Sequence, residues 1–431
     1  MRHPIPRLPW APFVVAIAST PALAQEPGVQ IYGTLNVDFE TVEARGASAA
    51  GALAAGSLGA APTGVNVTSR NRVTQNSSNL GFRGTERITP GLSAFFQIES
   101  GVAVDAGGSN IASRNTGLGM KGAWGTMFVG QWDTPYKTIS GLADPMYFTG
   151  ITYTGALIGT PGFGVGPTTI GAPATSGDGR TFASGANASF ERRQGNSVQY
   201  WTPELAGLTL RFAYSANENR TASSPAVTQV DPSIVSASAE YSWGPLTIAY
   251  ADEIHRDYFG LDALVPGSQA TPVAAVNGVP GASARDHGQK LATRVKVGDT
   301  QVGLLAERLR YAKSEDNAAA GAFSRYQRDA FALTLVQKVG TAGTLRALVA
   351  KARAGSCSRF DGSACDTSGL GARQVSLGYS YTFSRRTDLY AFYTRVANDA
   401  RGSYQFANGA GLGAAPGSAS IGYVLGMRHV F

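Results

Sequence analysis

The chain has 431 residues, 36 Lys and Arg against 29 Asp and Glu, only 15% charged residues in all, and 54 glycines. That length allows two or three ordinary domains, but sparse charge, abundant glycine and the lack of long amphipathic helices argue for many strands and turns. A formal charge of +7 favours anions, yet no run of Lys and Arg gathers on one element, which argues against a nucleic-acid partner.

The first element is a leader. Arg2 and Arg7 give a positive n-region before the apolar stretch "WAPFVVAIA", and Ala22-Leu23-Ala24 reads as a small-residue cleavage site. Pro9, Pro12 and Pro21 count against a buried helix there. Residues 1–24 are therefore expected to be an export signal, with Gln25 the mature start. Two arginines and no acid leave with it, so +7 becomes +5. No later run reaches the roughly 18 apolar residues of a membrane helix. The exported chain is thus periplasmic, secreted, or an outer-membrane barrel.

From residue 29 onward, period-two alternation dominates. In "VQIYGTLNVDFE", Val29, Ile31, Leu35, Val37 and Phe39 share one face, and Gln30, Thr34, Asn36, Asp38 and Glu40 the other. Sixteen such segments are predicted, near 29–42, 75–87, 91–102, 115–124, 126–133, 190–202, 207–217 and 233–243 in the first half. The second half carries 245–255, 286–298, 299–313, 325–339, 341–354, 370–384, 386–398 and 417–431. Short connections such as "TPG" at 89–91 and "GP" at 244–245 alternate with long ones. That rhythm is expected of a transmembrane barrel with tight turns at one end and long loops at the other. Closure follows because, in lipid, every backbone polar group needs a partner. Sixteen strands leave a water-filled lumen. The segment "TQVGLLAERLRYAK" resists assignment, with Leu305, Glu307 and Leu309 on one face and Leu304, Arg308 and Arg310 on the other. A bulge or a subunit contact would account for it.

Residues 117–122, "GLGMKG", match G-x-G-x-x-G, but "AWGTMFVGQW" follows as a turn and strand, so no dinucleotide site is read here. The connection 134–189 is the longest, and loops of that length usually carry function. It either folds into the lumen and narrows it or stays outside as a surface loop. Its aromatic Tyr136, Tyr147, Phe148 and Tyr153 would narrow an opening or offer sugars a surface. Cys357 and Cys365 in "GSCSRFDGSACDTSG" are expected to form a disulfide that staples one loop, and no histidine lies near enough to suggest a metal site. Four histidines without a serine partner in view give no catalytic constellation. No cofactor is implied.

The stretches "VQIYGTLNVDF", "SSNLGFRGTERITPGLSAFFQIESG", "LGMKGAWGTMFVGQWDTPYK", "RRQGNSVQYWTPELAGL" and "IGYVLGMRHVF" together resemble the trimeric general porins of Gram-negative outer membranes, the betaproteobacterial kind especially. The resemblance covers residues 25–431 as one 16-stranded antiparallel barrel and implies passive diffusion of small hydrophilic solutes. It further implies an inward third loop at 134–189, acids on that loop, and a facing ladder of basic residues. Arg83 and Arg193 match basic wall positions, whereas Asn79 and Gln131 stand where relatives carry arginine. By parity Arg211, Arg294, Lys296, Arg328, Arg346 and Arg428 also face water, and Lys121 and Asp144 complete the pore-lining candidates. With only Asp144 and Asp178 on the loop, the net sign suggests a weak anion preference. The terminal Phe431 is implied to be an assembly signal. Expected partners are two further copies, outer-membrane lipid with lipopolysaccharide, and the outer-membrane assembly machinery. A substrate-selective porin, or a surface adhesin or receptor barrel, is the alternative.

Overall fold

Alternating side chains force each strand to present an apolar face and a polar face, and a closed sheet can satisfy both at once. The computed structural model describes residues 28–147, 150–163, 188–216, 231–265, 281–316, 318, 320–407, 411–413 and 415–431. Strand β1 (Val29–Arg45) sets the pattern: Val29, Ile31 and Phe39 are 63%, 60% and 51% exposed, while Asn36, Asp38 and Glu40 are buried.

Sixteen barrel strands follow in chain order, three of them interrupted. Strand β2 is Val67–Gln75 continued by Asn79–Thr89, β3 is Leu92–Val102, and β4 is Ser109–Asn110 continued by Thr116–Gly122. Next come β5 (Gly125–Asp133), β6 (Arg193–Trp201), β7 (Leu208–Ala216), β8 (Ser233–Trp243), β9 (Leu246–Arg256) and β10 (Ser283–Val297). The last are β11 (Thr300–Ser314), β12 (Phe323–Val339), β13 (Gly343–Ala352 with Ser356–Arg359), β14 (Ala372–Ser384), β15 (Thr387–Asn398) and β16 (Ala419–Val430). Every neighbouring pair is antiparallel. Strand β16 pairs with β1 from Thr34↔Val430 to Arg45↔Ala419, which closes the barrel. No helix among the described residues is long and apolar enough to cross a membrane.

All sixteen predicted segments are strands, but the start of the second differs. The second begins at Val67 instead of near 75, because "VTSRNRVTQ" carries too few apolar residues to alternate visibly. It pairs with the upper part of β1, then breaks at residues 76–78, where Ser77 takes φ +56°. The seam with β16 lies beyond Ile31 on β1. Ile31 pairs with Phe82 of β2, and the seam opens at Gly33, which exchanges backbone bonds with Phe431 at 3.1 Å each way.

Strand β11 now has assigned faces. Val302, Leu304, Arg308 and Arg310 point outward; Leu305, Glu307, Leu309 and Tyr311 point inward. Its register with both β10 and β12 is constant, so no bulge explains the mixed pattern. The inward leucines are apolar because they meet protein rather than water: a buried hydrophobic cluster lies inside the barrel. There Tyr136, Ile139 and Leu157 of the third long loop join Leu305, Leu309 and Tyr311 of the wall, with Tyr404 and Phe406 of the last loop. Residues 117–122 lie in β4 ahead of a turn and β5, with no helix to cradle a phosphate. Cys357 and Cys365 are joined in a disulfide with Cα atoms 5.8 Å apart.

Candidate functional site

The third long loop leaves β5 through a short helix, α1 (Pro135–Thr138). Thr134 caps it by accepting from the Lys137 amide at 3.3 Å, and Pro135 fits the first turn, where no N–H is required. Three 3₁₀ turns follow, at Ile139–Leu142, Gly150–Thr152 and Thr154–Ala156. This apolar run would be out of place in an external loop. Its Tyr136, Ile139, Met146, Ile151, Tyr153, Leu157 and Ile158 are all buried, so the loop enters the barrel.

Polar anchors hold it to the wall. Glu307 of β11 accepts from the Tyr136 hydroxyl at 2.9 Å and the Gly159 amide at 2.8 Å, with Arg328 of β12 at 3.3 Å. Lys290 of β10 donates to Ser140 Oγ at 2.7 Å and pairs with Glu191, which also accepts from the Tyr153 hydroxyl at 2.9 Å. Farther round, Gln374 Nε2 donates to the carbonyls of Thr152 and Tyr153, both at 3.2 Å. Arg346 Nη1 donates to the Pro145 carbonyl at 2.6 Å. Gly150, at φ +68°, comes so close to Asn76 that a Cβ would lie 2.8 Å from Asn76 Oδ1.

Tyr147 forms the half-exposed tip of the loop. It sits at φ +60°, a left-handed conformation that a bulky residue keeps only when its surroundings enforce it. Arg346 and Arg428 stand over its ring at 4.4 and 5.2 Å, and Tyr390 and Phe392 lie beside it at 5.8 and 6.2 Å. Tyr136 and Tyr153 are buried anchors rather than free surface, while Phe148 and Asp178 lie outside the described residues.

The predicted pore residues divide by partner. Arg193 is buried, 3.2 Å from Asp133 and 2.7 Å from Asn115 Oδ1. Arg211 pairs with Glu240 at 3.0 Å, and Arg428 with Asp388 at 3.6 Å. Asp144 Oδ1 accepts from the Met146 amide at 2.7 Å, and Gln131 donates to the carbonyls of Ala112 and Arg114. Asn79 donates to the Ser77 carbonyl at 3.1 Å, at the break in β2. Against these stand Arg83 (bonded to Gln30), Lys121 (to Thr85), Arg294 (to Thr247) and Arg346, all in the short-turn halves of their strands. Among the described residues none of these four has a carboxylate within ion-pair distance.

Sequence reasoning missed Asp133, Glu191, Lys290 and Glu307. Lys290 and Glu307 are charges at inward positions in mid-strand, a signal readable once β11 had been assigned its faces. Acids near the loop are therefore more numerous than Asp144 and Asp178, but Asp133, Glu191 and Glu307 are neutralised by cations.

A family model described as Gram-negative porin matches residues 11–401. The chitoporin of Vibrio furnissii is 27% identical over 246 residues, 56% of each chain, so this chain spans about half the length of the curated relative it matches. The anion-selective porin from Comamonas acidovorans superposes with a TM-score of 0.63 at 20% identity, covering 94% of this chain and 100% of that one. A trimer form of OmpT of Vibrio cholerae gives 0.57 at 16% identity, covering 94% and 99%. At such identities the structural likeness speaks for the fold.

Proposed function

The chain belongs to the Gram-negative porin family and is an outer-membrane β-barrel, and from that premise we propose passive diffusion of small hydrophilic solutes and ions with a weak anion preference. The observation that carries the preference is the sign of the uncompensated charge. Among the described residues Arg83, Lys121, Arg294 and Arg346 have no carboxylate within ion-pair distance, whereas the described acids that face inward beside the loop are paired or buried. Side-chain charge lining a narrow path selects ions of the opposite sign. The membrane partners belong to the same reading: two further copies, lipopolysaccharide-bearing lipid, and an assembly machinery that reads the strand ending at Phe431.

Reconstituted protein should give steady single-channel conductance, with a reversal potential in a salt gradient of the sign that marks anion passage. A cation preference would overturn the selectivity, and a barrel without conductance would favour a surface receptor. The aromatic tip at Tyr147, Tyr390 and Phe392 favours a second reading, a channel selective for a sugar-like solute. Saturable uptake of one solute into liposomes, abolished by Tyr147→Ala, would decide for it.

A further inference from the structure

Unpaired charge on the outward face, at the end carrying the long loops, gathers in one sector among the described residues. On β11 to β14, at the end carrying the long loops, Arg308, Arg310, Arg325, Lys351, Arg353 and Arg373 all point away from the lumen and are exposed. They are neighbours across the sheet: Arg308 faces Asp329, Phe331 faces Lys351, and Lys351 faces Arg373. Asp329 is the one described acid pointing outward on these strands, held by Arg308 at 2.8 Å with Arg353 at 4.0 Å. Arg310, Arg325, Lys351 and Arg373 make no ion pair among the described residues.

Directly beneath, on the same strands and the same face, lie Phe331, Leu333, Val349, Val375 and Leu377, all exposed. Successive outward residues are two strand rises apart, so the cations begin where this apolar band ends. A cation facing hydrocarbon is costly near the midplane and nearly free at the interface. The flanking strands extend the sector with Arg256 of β9, Arg285 of β10 and Arg395 of β15, all outward and exposed, whereas farther round the rim is neutral: on β1, Arg45 is paired with Glu43 at 2.6 Å, and β7 and β8 present Tyr214 and Val235.

We propose that this sector binds the phosphate groups of outer-leaflet lipid, the guanidinium groups chelating phosphate oxygens while acyl chains lie on the apolar rows below. The inference rests on the outer-membrane placement and names which wall meets lipid. Guanidinium matches phosphate geometry with paired hydrogen bonds. A second copy of the chain fits less well. The outward acids on the strands at this rim, Glu43, Asp252 and Asp329, are each already paired, so no described strand face offers a matching negative patch.

The test uses full-length protein, purified in neutral detergent and stripped of lipid, with diphosphoryl lipid A as probe and phosphatidylcholine as control. Lipid A should give bound adducts by native mass spectrometry and raise the unfolding temperature; phosphatidylcholine should do neither. In Arg310→Gln/Arg325→Gln/Lys351→Gln/Arg373→Gln, apparent affinity should fall tenfold or more with conductance unchanged. Equal affinity in parent and variant overturns the proposal, and so does loss of the oligomer in the variant, which would make this face a subunit contact. Should the variant fail to fold, the parent alone decides, because phosphate recognition must weaken as salt rises and salt-independent binding refutes it. Absent conductance in the parent would instead strike the channel reading.

Discussion

Arg83 and Arg193 carry the same charge on inward strand positions, and only one of them is free to act on a passing ion. Arg83 is exposed and bonded to the neutral Gln30. Arg193 is buried against Asp133, so its charge is spent on a neighbour. Arg83→Glu should therefore move the reversal potential toward cations and leave stability within about 0.5 kcal/mol, as for other exposed substitutions. Arg193→Glu should set two carboxylates together in a buried site and cost roughly 3–5 kcal/mol. Thermal unfolding in detergent, measured beside the reversal potential, separates the two effects. A selectivity change of equal size with no loss of stability would show that Arg193 lines the path after all. The sequence made both arginines visible by charge and parity. It could not show that Asp133, across the longest connection, is the residue Arg193 pairs with along β5 and β6.

At the scale of elements, the third loop is held by a few buried charges beneath an apolar cover. Lys290 sits between Glu191 and Glu307, the latter at 3.7 Å. Lys290→Met would keep the volume and leave Glu191 without its cation, while Glu307 keeps Arg328, a loss of about 3–5 kcal/mol. Gln374→Ala removes hydrogen bonds to two carbonyls and should cost nearer 1 kcal/mol. Limited proteolysis in the loop and excess open-channel noise should both appear in the first variant before the second. If Lys290→Met leaves both unchanged, the loop is held by its apolar face alone. The external loops are clipped differently. Asp361 accepts from Ser363 Oγ at 2.6 Å, the Ser363 amide at 2.9 Å and the Gly321 amide at 2.7 Å, and these bonds hold its carboxyl down at about 2. A depressed folded value means the contribution is complete above the ordinary carboxyl range and lost as pH falls through about 2. Pepsin should thus spare residues 355–369 near pH 4 and cut them as the pH approaches 2, whereas Asp361→Asn should be cut at both. Strand positions were legible because alternation is local. Loop contacts were not, because Gln374 and Tyr153 meet only after the barrel has closed.

For the whole molecule, the rhythm of short and long connections was enough to read a closed barrel, and apart from the start of β2 the mixed polarity of β11 was where it failed. The reason is that β11 meets the buried loop cluster on its inner face, and hydrocarbon giving way to a charged rim on its outer face. Closure itself rests on the end of the chain. Phe431 exchanges two backbone bonds with Gly33, and its ring lies over that glycine so tightly that a Cβ on residue 33 would stand 2.5 Å from Phe431 Cζ and 2.6 Å from the Asn79 carbonyl oxygen. The seam at Phe431 and its proposed role as an assembly signal predict different failures. Gly33→Ala disturbs the seam with the terminal residue intact, so it should lower the yield of folded barrel both in cells and on refolding into detergent. Removal of Phe431 takes away two hydrogen bonds at a half-exposed edge, about 1–3 kcal/mol together, which refolded protein in detergent should tolerate. If Phe431 is also the proposed assembly signal, the same truncation should nearly abolish outer-membrane barrel in cells. Equal losses in the two settings would mean that Phe431 acts through the seam alone.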